Sequence, residues 1–151
     1  MRRLEGFTLV EIMIVVSIIS LLSVIAIPSF QRARQRAQNA KLINGLRVAT
    51  DAFQMYATEH GSYPADVNRA TVPSGMDLYF GKTFDFTKAT PIGGNWDWDC
   101  NQFGFTAGVS VVGSGADRTR MIDIDSTIDD GKLNSGGFQE TADDRYTSII
   151  E

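Results

Sequence analysis

Of its 151 residues, one is cysteine (Cys100) and one is histidine (His60). That excludes an intramolecular disulfide, a Cys/His zinc cluster and a catalytic centre built on two histidines. Acids are scarce at the start: residues 1–47 hold two against seven Lys/Arg, a net charge of +5, while residues 48–151 hold sixteen against seven, net −9. The two segments face different surroundings. No glycine-rich phosphate cradle is present, and the length suits about one ordinary domain with an appendage.

What is present is a long apolar run. Positions 7–27 contain 16 apolar residues out of 21, interrupted by Thr8, Glu11, Ser17, Ser20 and Ser23. As a helix this run is about 31 Å long, enough to span a hydrocarbon core. A secretory signal peptide is the competing reading, given Arg2 and Arg3. Its apolar stretch would be about 7–15 residues and end in small residues, whereas this run is longer and ends in Ile27-Pro28-Ser29-Phe30.

Glu11 is the anomaly, because a carboxylate within an apolar helix costs about 2.5–3.5 kcal/mol and needs a partner. No Lys or Arg lies between Arg3 and Arg32. A cut after Gly6 would expose an α-amine on Phe7, about one helical turn from Glu11 or within reach of Glu11 on a neighbouring copy. The alternative is an interfacial or protonated Glu11. The segment Arg2-Arg3-Leu4-Glu5-Gly6-Phe7-Thr8-Leu9-Val10-Glu11 resembles the class III leader of type IV pilins and type II secretion pseudopilins. The resemblance implies a leader at 1–6, cleavage after Gly6 and N-methylation of Phe7 by a prepilin peptidase, and assembly through Phe7 and Glu11.

Ser17, Ser20, Ser23 and Ala26 recur at steps of three and form a ridge on which helices approach closely, or are simply tolerated there. Pro28 removes a backbone donor and favours a kink or boundary, as the resemblance also implies. Beyond it, Ala33, Ala37, Ala40, Ile43, Leu46, Ala49, Phe53, Tyr56 and Ala57 continue one apolar stripe. The spacing predicts a helix reaching Glu59, with Gly61 as its C-cap and a loop from Tyr63-Pro64. Met55–Pro64 is similar to the helix end of the same family.

The basic run Arg32, Arg34, Arg36 and Lys41 would place the following domain in the cytoplasm by the positive-inside rule, whereas the resemblance implies the periplasm. The run reads either as a solvated face near lipid headgroups or as a surface that pairs with the acidic domain of another copy. It has too few charges, and no interleaved aromatics, for nucleic acid.

Residues 66–88 read as a loop. In Trp96-Asp97-Trp98-Asp99 the alternation puts both indoles on one strand face and both carboxylates on the other. A second strand follows over Phe103, Phe105, Ala107, Val109 and Val111, a third over Arg118 to Asp125 after the Gly113-Ser114-Gly115 turn, and a fourth over Tyr146 to Ile150. The expected fold is α+β and pilin-like, a long N-terminal helix with a membrane-spanning first half packed on a small antiparallel β-sheet. Its expected parts are a leader (1–6), a transmembrane helix half (7–29) and a globular domain (30–151).

The late acids Asp123, Asp125, Asp129 and Asp130 are hard oxygen ligands suited to calcium. An EF-hand starting at Asp123 fails, since its sixth position is Ile128 and its twelfth Asn134. The competing reading is a helix capping box, Ser126-Thr127-Ile128-Asp129, with solvated acids. Type II secretion major pseudopilins hold calcium in a late acidic loop. His60 with Cys100, Asp97 with Asp99, or Asp129 with Asp130 would supply a nucleophile or a carboxylate pair, but no spacing fixes their geometry, so an enzyme is not expected.

The expected function is a structural subunit of a type II secretion pseudopilus or a type IV pilus. The short chain and missing cysteine pair lean toward the former. The resemblance implies as partners copies of itself in a filament, other pilins or pseudopilins, the prepilin peptidase, and an inner-membrane platform with its ATPase. No cofactor is required beyond the calcium reading. The alternative is a membrane-tethered periplasmic binding domain that never polymerises.

Overall fold

A computed structural model describes residues 6–81 and 84–151. Residues 1–5, including Arg2 and Arg3 of the expected leader, lie outside the described residues. The chain divides into two compact units, one ending at Ala37 and the other beginning at Gln38. The first helix, α1, covers Leu9–His60.

Within the first unit every side chain from Phe7 to Phe30 is exposed except that of Ser23, which is half-buried. Exposed apolar groups on all sides of a helix require lipid or like helices as cover. The hydroxyls of Ser17, Ser20 and Ser23 donate to the carbonyls of Met13, Val16 and Ile19 at 2.8, 2.7 and 2.8 Å. Each serine thereby satisfies itself and leaves a low surface behind. Pro28 lies inside α1 and does not end it, so of the kink or boundary expected there, the boundary does not form. The missing N–H removes one rung, while the flanking residues keep theirs.

The second unit builds its core on Leu42, Ile43, Leu46, Ala49, Ala52 and Phe53 of α1. Gly61 ends the helix as expected, at φ +74° with its N–H on the Ala57 carbonyl at 2.8 Å. Strands β1 (Asn95–Gln102), β2 (Phe105–Val112), β3 (Phe138–Ala142) and β4 (Arg145–Ile149) form an antiparallel sheet in the order β1-β2-β4-β3. One face presents Trp96, Trp98, Ala107, Val109, Val111, Phe138 and Tyr146, all buried in the core. The Trp98 indole stacks on Phe53 with centroids 3.6 Å apart, and its Nε1 donates to the Pro64 carbonyl at 3.0 Å. A Cβ on Gly45 would meet the Trp96 ring at 2.8 Å, so glycine is what lets that indole lie against the helix.

The expected third strand is a helix. Residues Arg118–Ile128 form α2, with the Asp117 carboxylate capping the Thr119 N–H at 3.2 Å. Met121, Ile124 and Asp125 are buried while Ile122 is exposed, a helical rather than an alternating pattern. The capping box expected at Ser126–Asp129 falls with it. Ser126 and Thr127 sit in the last turn, their hydroxyls donating to the Asp123 carbonyl at 2.8 and 3.0 Å. Phe103 belongs to the β1–β2 turn, at φ +50°, and not to β2.

Asp97 and Asp99 do share the opposite sheet face, but both are buried. Arg145 from β4 binds Asp99 at 2.6 and 2.7 Å and Asp97 at 2.7 Å, under the ring of Phe103. Ser110 donates to Asp99 and shares a 2.7 Å hydrogen bond with Thr147. Burial pushes the Asp97 carboxyl above its ordinary range in spite of Arg145. An acid whose pKa is higher folded than unfolded contributes most to stability at low pH, and that share is lost as pH rises from its unfolded value. Removing the guanidinium from both carboxylates enlarges this loss. Arg145→Ala is therefore expected to cost about 3–5 kcal/mol at neutral pH and distinctly less near pH 4.5, read by denaturant unfolding. Equal losses at both pH values would contradict the pairing.

Candidate functional site

The N-terminal site is built by the first turn of α1. Gly6 is exposed, with open space where a Cβ would lie, and Phe7 is 86% exposed. Nothing among the described residues covers this end. Thr8 and Glu11 form a reciprocal cap. The Glu11 Oε2 accepts the Thr8 N–H at 2.8 Å and the Thr8 hydroxyl at 2.6 Å, while the Thr8 Oγ1 accepts the Glu11 N–H at 3.3 Å. This is the Thr-x-x-Glu capping box. Its sequence signal is this spacing just before an apolar run. Both Thr8 donors are neutral and converge on one oxygen, so they orient the carboxylate without balancing it.

The late acids come together only in part. One carboxylate oxygen each from Asp125, Asp129 and Asp130 lies within 4.8 Å of the others. Asp123 is not among them. On α2 it stands two residues before Asp125 and so about 200° around the helix from it. Asp125 is fully buried, and neither of its carboxylate oxygens completes a hydrogen bond. Burial, then the charges of Asp130 and Asp129, push its carboxyl upward against the weaker pull of the Lys132 and Gly131 amides. Asp130 accepts the Lys132 N–H at 2.8 Å and the Ser135 hydroxyl at 2.9 Å, and Asp129 accepts the Gly137 N–H. An orphaned buried carboxylate beside two anchored ones fits a hard divalent cation.

His60 stacks on Tyr56 with centroids 4.1 Å apart, and its Nδ1 lies 3.1 Å from the Tyr56 carbonyl. Cys100 lies beside Asn101, its N–H on Asp66 at 3.2 Å. No hydrogen bond joins this pair. Burial, helped by the Asp66 charge, pushes the Cys100 thiol up, away from nucleophilic thiolate.

Residues 1–27 match the family model described as the prokaryotic N-terminal methylation motif. The first turn of α1 lies in that motif. The chain is 35% identical over 74 residues to a fimbrial protein of Neisseria meningitidis, covering 49% of this chain and 44% of that protein. It is 36% identical over 66 residues to the type IV wide pilus major component PilA4 of Thermus thermophilus, covering 44% and 50%. With the type II secretion system core protein G of Aeromonas hydrophila it shares 28% over 81 residues, covering 54% and 52%. The chain thus spans about half the length of the curated relatives it matches. No solved structure matches it. The methylation motif and the pilin-like α+β fold therefore stand together, and α1 is long and apolar enough to cross a membrane.

Proposed function

We propose that this chain is a structural subunit which polymerises through α1 once its leader is removed after Gly6. The carrying observation is Glu11, held by Thr8 at the mouth of an apolar helix with no cation among the described residues to balance it. A liberated and methylated amine on Phe7, in the same or a neighbouring copy, supplies the missing charge at one end of each added subunit. Lipid covers the exposed helix before assembly, and the helices of other copies cover it afterwards, since apolar surface leaving lipid must be buried again. The back-bonded serines leave room for close helix approach, and Pro28 marks where the helix bends.

The helix anchors the chain in the bacterial inner membrane by a single pass, with the globular domain in the periplasm. Its partners are the prepilin peptidase, a membrane platform with an ATPase, and other pilins or pseudopilins. The pilin and core-protein relatives support both a pilus and a type II secretion pseudopilus. The role is structural rather than catalytic.

In the competing reading the chain is a tethered binding domain. Glu11→Ala separates the two: it is expected to leave membrane insertion intact and abolish filaments seen by electron microscopy. Filaments of normal number and length from the variant would overturn polymerisation by this charge.

We further propose that Asp125, Asp129 and Asp130 hold calcium, which joins the end of α2 to the loop leading into β3. The full chain in detergent is expected to melt several degrees higher in calcium than in chelator, and Asp125→Asn to lose that increment. An increment retained by Asp125→Asn would remove the site.

A further inference from the structure

We infer that Arg32, Arg34 and Arg36 form a collar that binds anionic phospholipid headgroups at the end of the apolar span. The inference rests on the membrane-spanning part of the proposed function and not on polymerisation. Between Glu11 and Asp51 the chain contains no acidic residue. All three arginines are exposed, and none has an ion-pair partner among the described residues. All three charges are thus open to an anionic partner from outside this segment.

Position selects the partner. Arg32 follows Phe30, an exposed large apolar residue at the end of the run, by two residues, about 3 Å along the axis. That is headgroup depth for a helix whose apolar part fills the hydrocarbon. At about 100° per residue, Arg36 points about 40° from Arg32, while Arg34 points about 160° away from both on the other side. A stripe that docks on one protein surface would keep its charges on one face. A ring meets a layer that surrounds the helix, and headgroups do. Guanidinium also suits phosphate, which it grips with two parallel hydrogen bonds, and its long stem lies along the apolar surface below.

The test uses the full chain reconstituted in phosphatidylcholine vesicles containing a minority of phosphatidylglycerol, with lipid association read from spin-labelled versions of each lipid. The wild type is expected to prefer phosphatidylglycerol by at least about fivefold, and that preference should shrink in high salt. Combined Arg32→Gln, Arg34→Gln and Arg36→Gln should bring it to about one, and the corresponding three lysine substitutions should keep most of it. Equal association of both lipids with the wild type overturns the inference. So does a preference that survives the glutamine substitutions, or cross-linking of the arginines to the acidic domain of a second copy with no lipid preference. If the glutamine variant fails to insert, the wild-type salt series decides, and a salt-insensitive preference counts against the collar. Glu11→Ala should leave the lipid preference unchanged, so failure of the collar and failure of polymerisation read out separately.

Discussion

A carboxylate at the head of an apolar helix is held by two neutral donors and, among the described residues, by no cation. Thr8 gives Glu11 its orientation through the N–H and hydroxyl it sends to Oε2, but a neutral donor leaves the net charge in place. Along the helix the next cation is Arg32, 21 residues on and about 32 Å away. At that distance it contributes almost nothing through a membrane-proximal path screened at both ends. On the proposed reading the counter-charge is the chain's own processed end or that of another copy. The same segment is apolar on every side, with its serine hydroxyls folded onto their own backbone. A helix so finished has no use for water and a strong need for neighbours.

The second unit answers a different demand, which is to be stable in water with a single helix face as its foundation. Phe53 stacks on Trp98, Phe80 and Phe86 meet Phe53 edge-on, and Trp96 lies over Gly45. The far face of the sheet is handled by ion pairing, with one guanidinium serving two buried carboxylates. Aromatic burial brings most of the cohesion on one side. On the other, Arg145 ties β4 to β1 across the intervening β2 by holding residues 46 and 48 positions away in sequence.

Local patterns in the sequence carried much of this. The stripe from Ala33 to Ala57 and Gly61 at its end defined α1. The alternation of indoles and carboxylates defined β1, and Tyr146 with Ile150 pointed to β4, whose span is Arg145–Ile149. What escaped was decided by longer range or by ambiguity. Ile122 and Ile124 fit a strand's alternation, whereas Met121 with Ile124, and Asp117 as a cap, fit the helix that forms. The helix also sets Asp123 apart from the acidic cluster, since residues two apart share a face on a strand and not on a helix. Strand β3 has one buried apolar anchor, Phe138, followed by three polar residues and an exposed Ala142, so its alternation carries little signal. The burial of Asp97 and Asp99 depends on Arg145, which no local window contains. The capping-box spacing occurs at both Ser126–Asp129 and Thr8–Glu11, and only the second opens a helix.

The most direct measurement is the mass and fragmentation of the N-terminal peptide of chains purified from membranes in which a prepilin peptidase is active. An N-methylated peptide beginning at Phe7 is the predicted result, since that amine is the proposed counter-charge for Glu11. Chains that still begin at Met1 while carrying out their normal role would contradict the account.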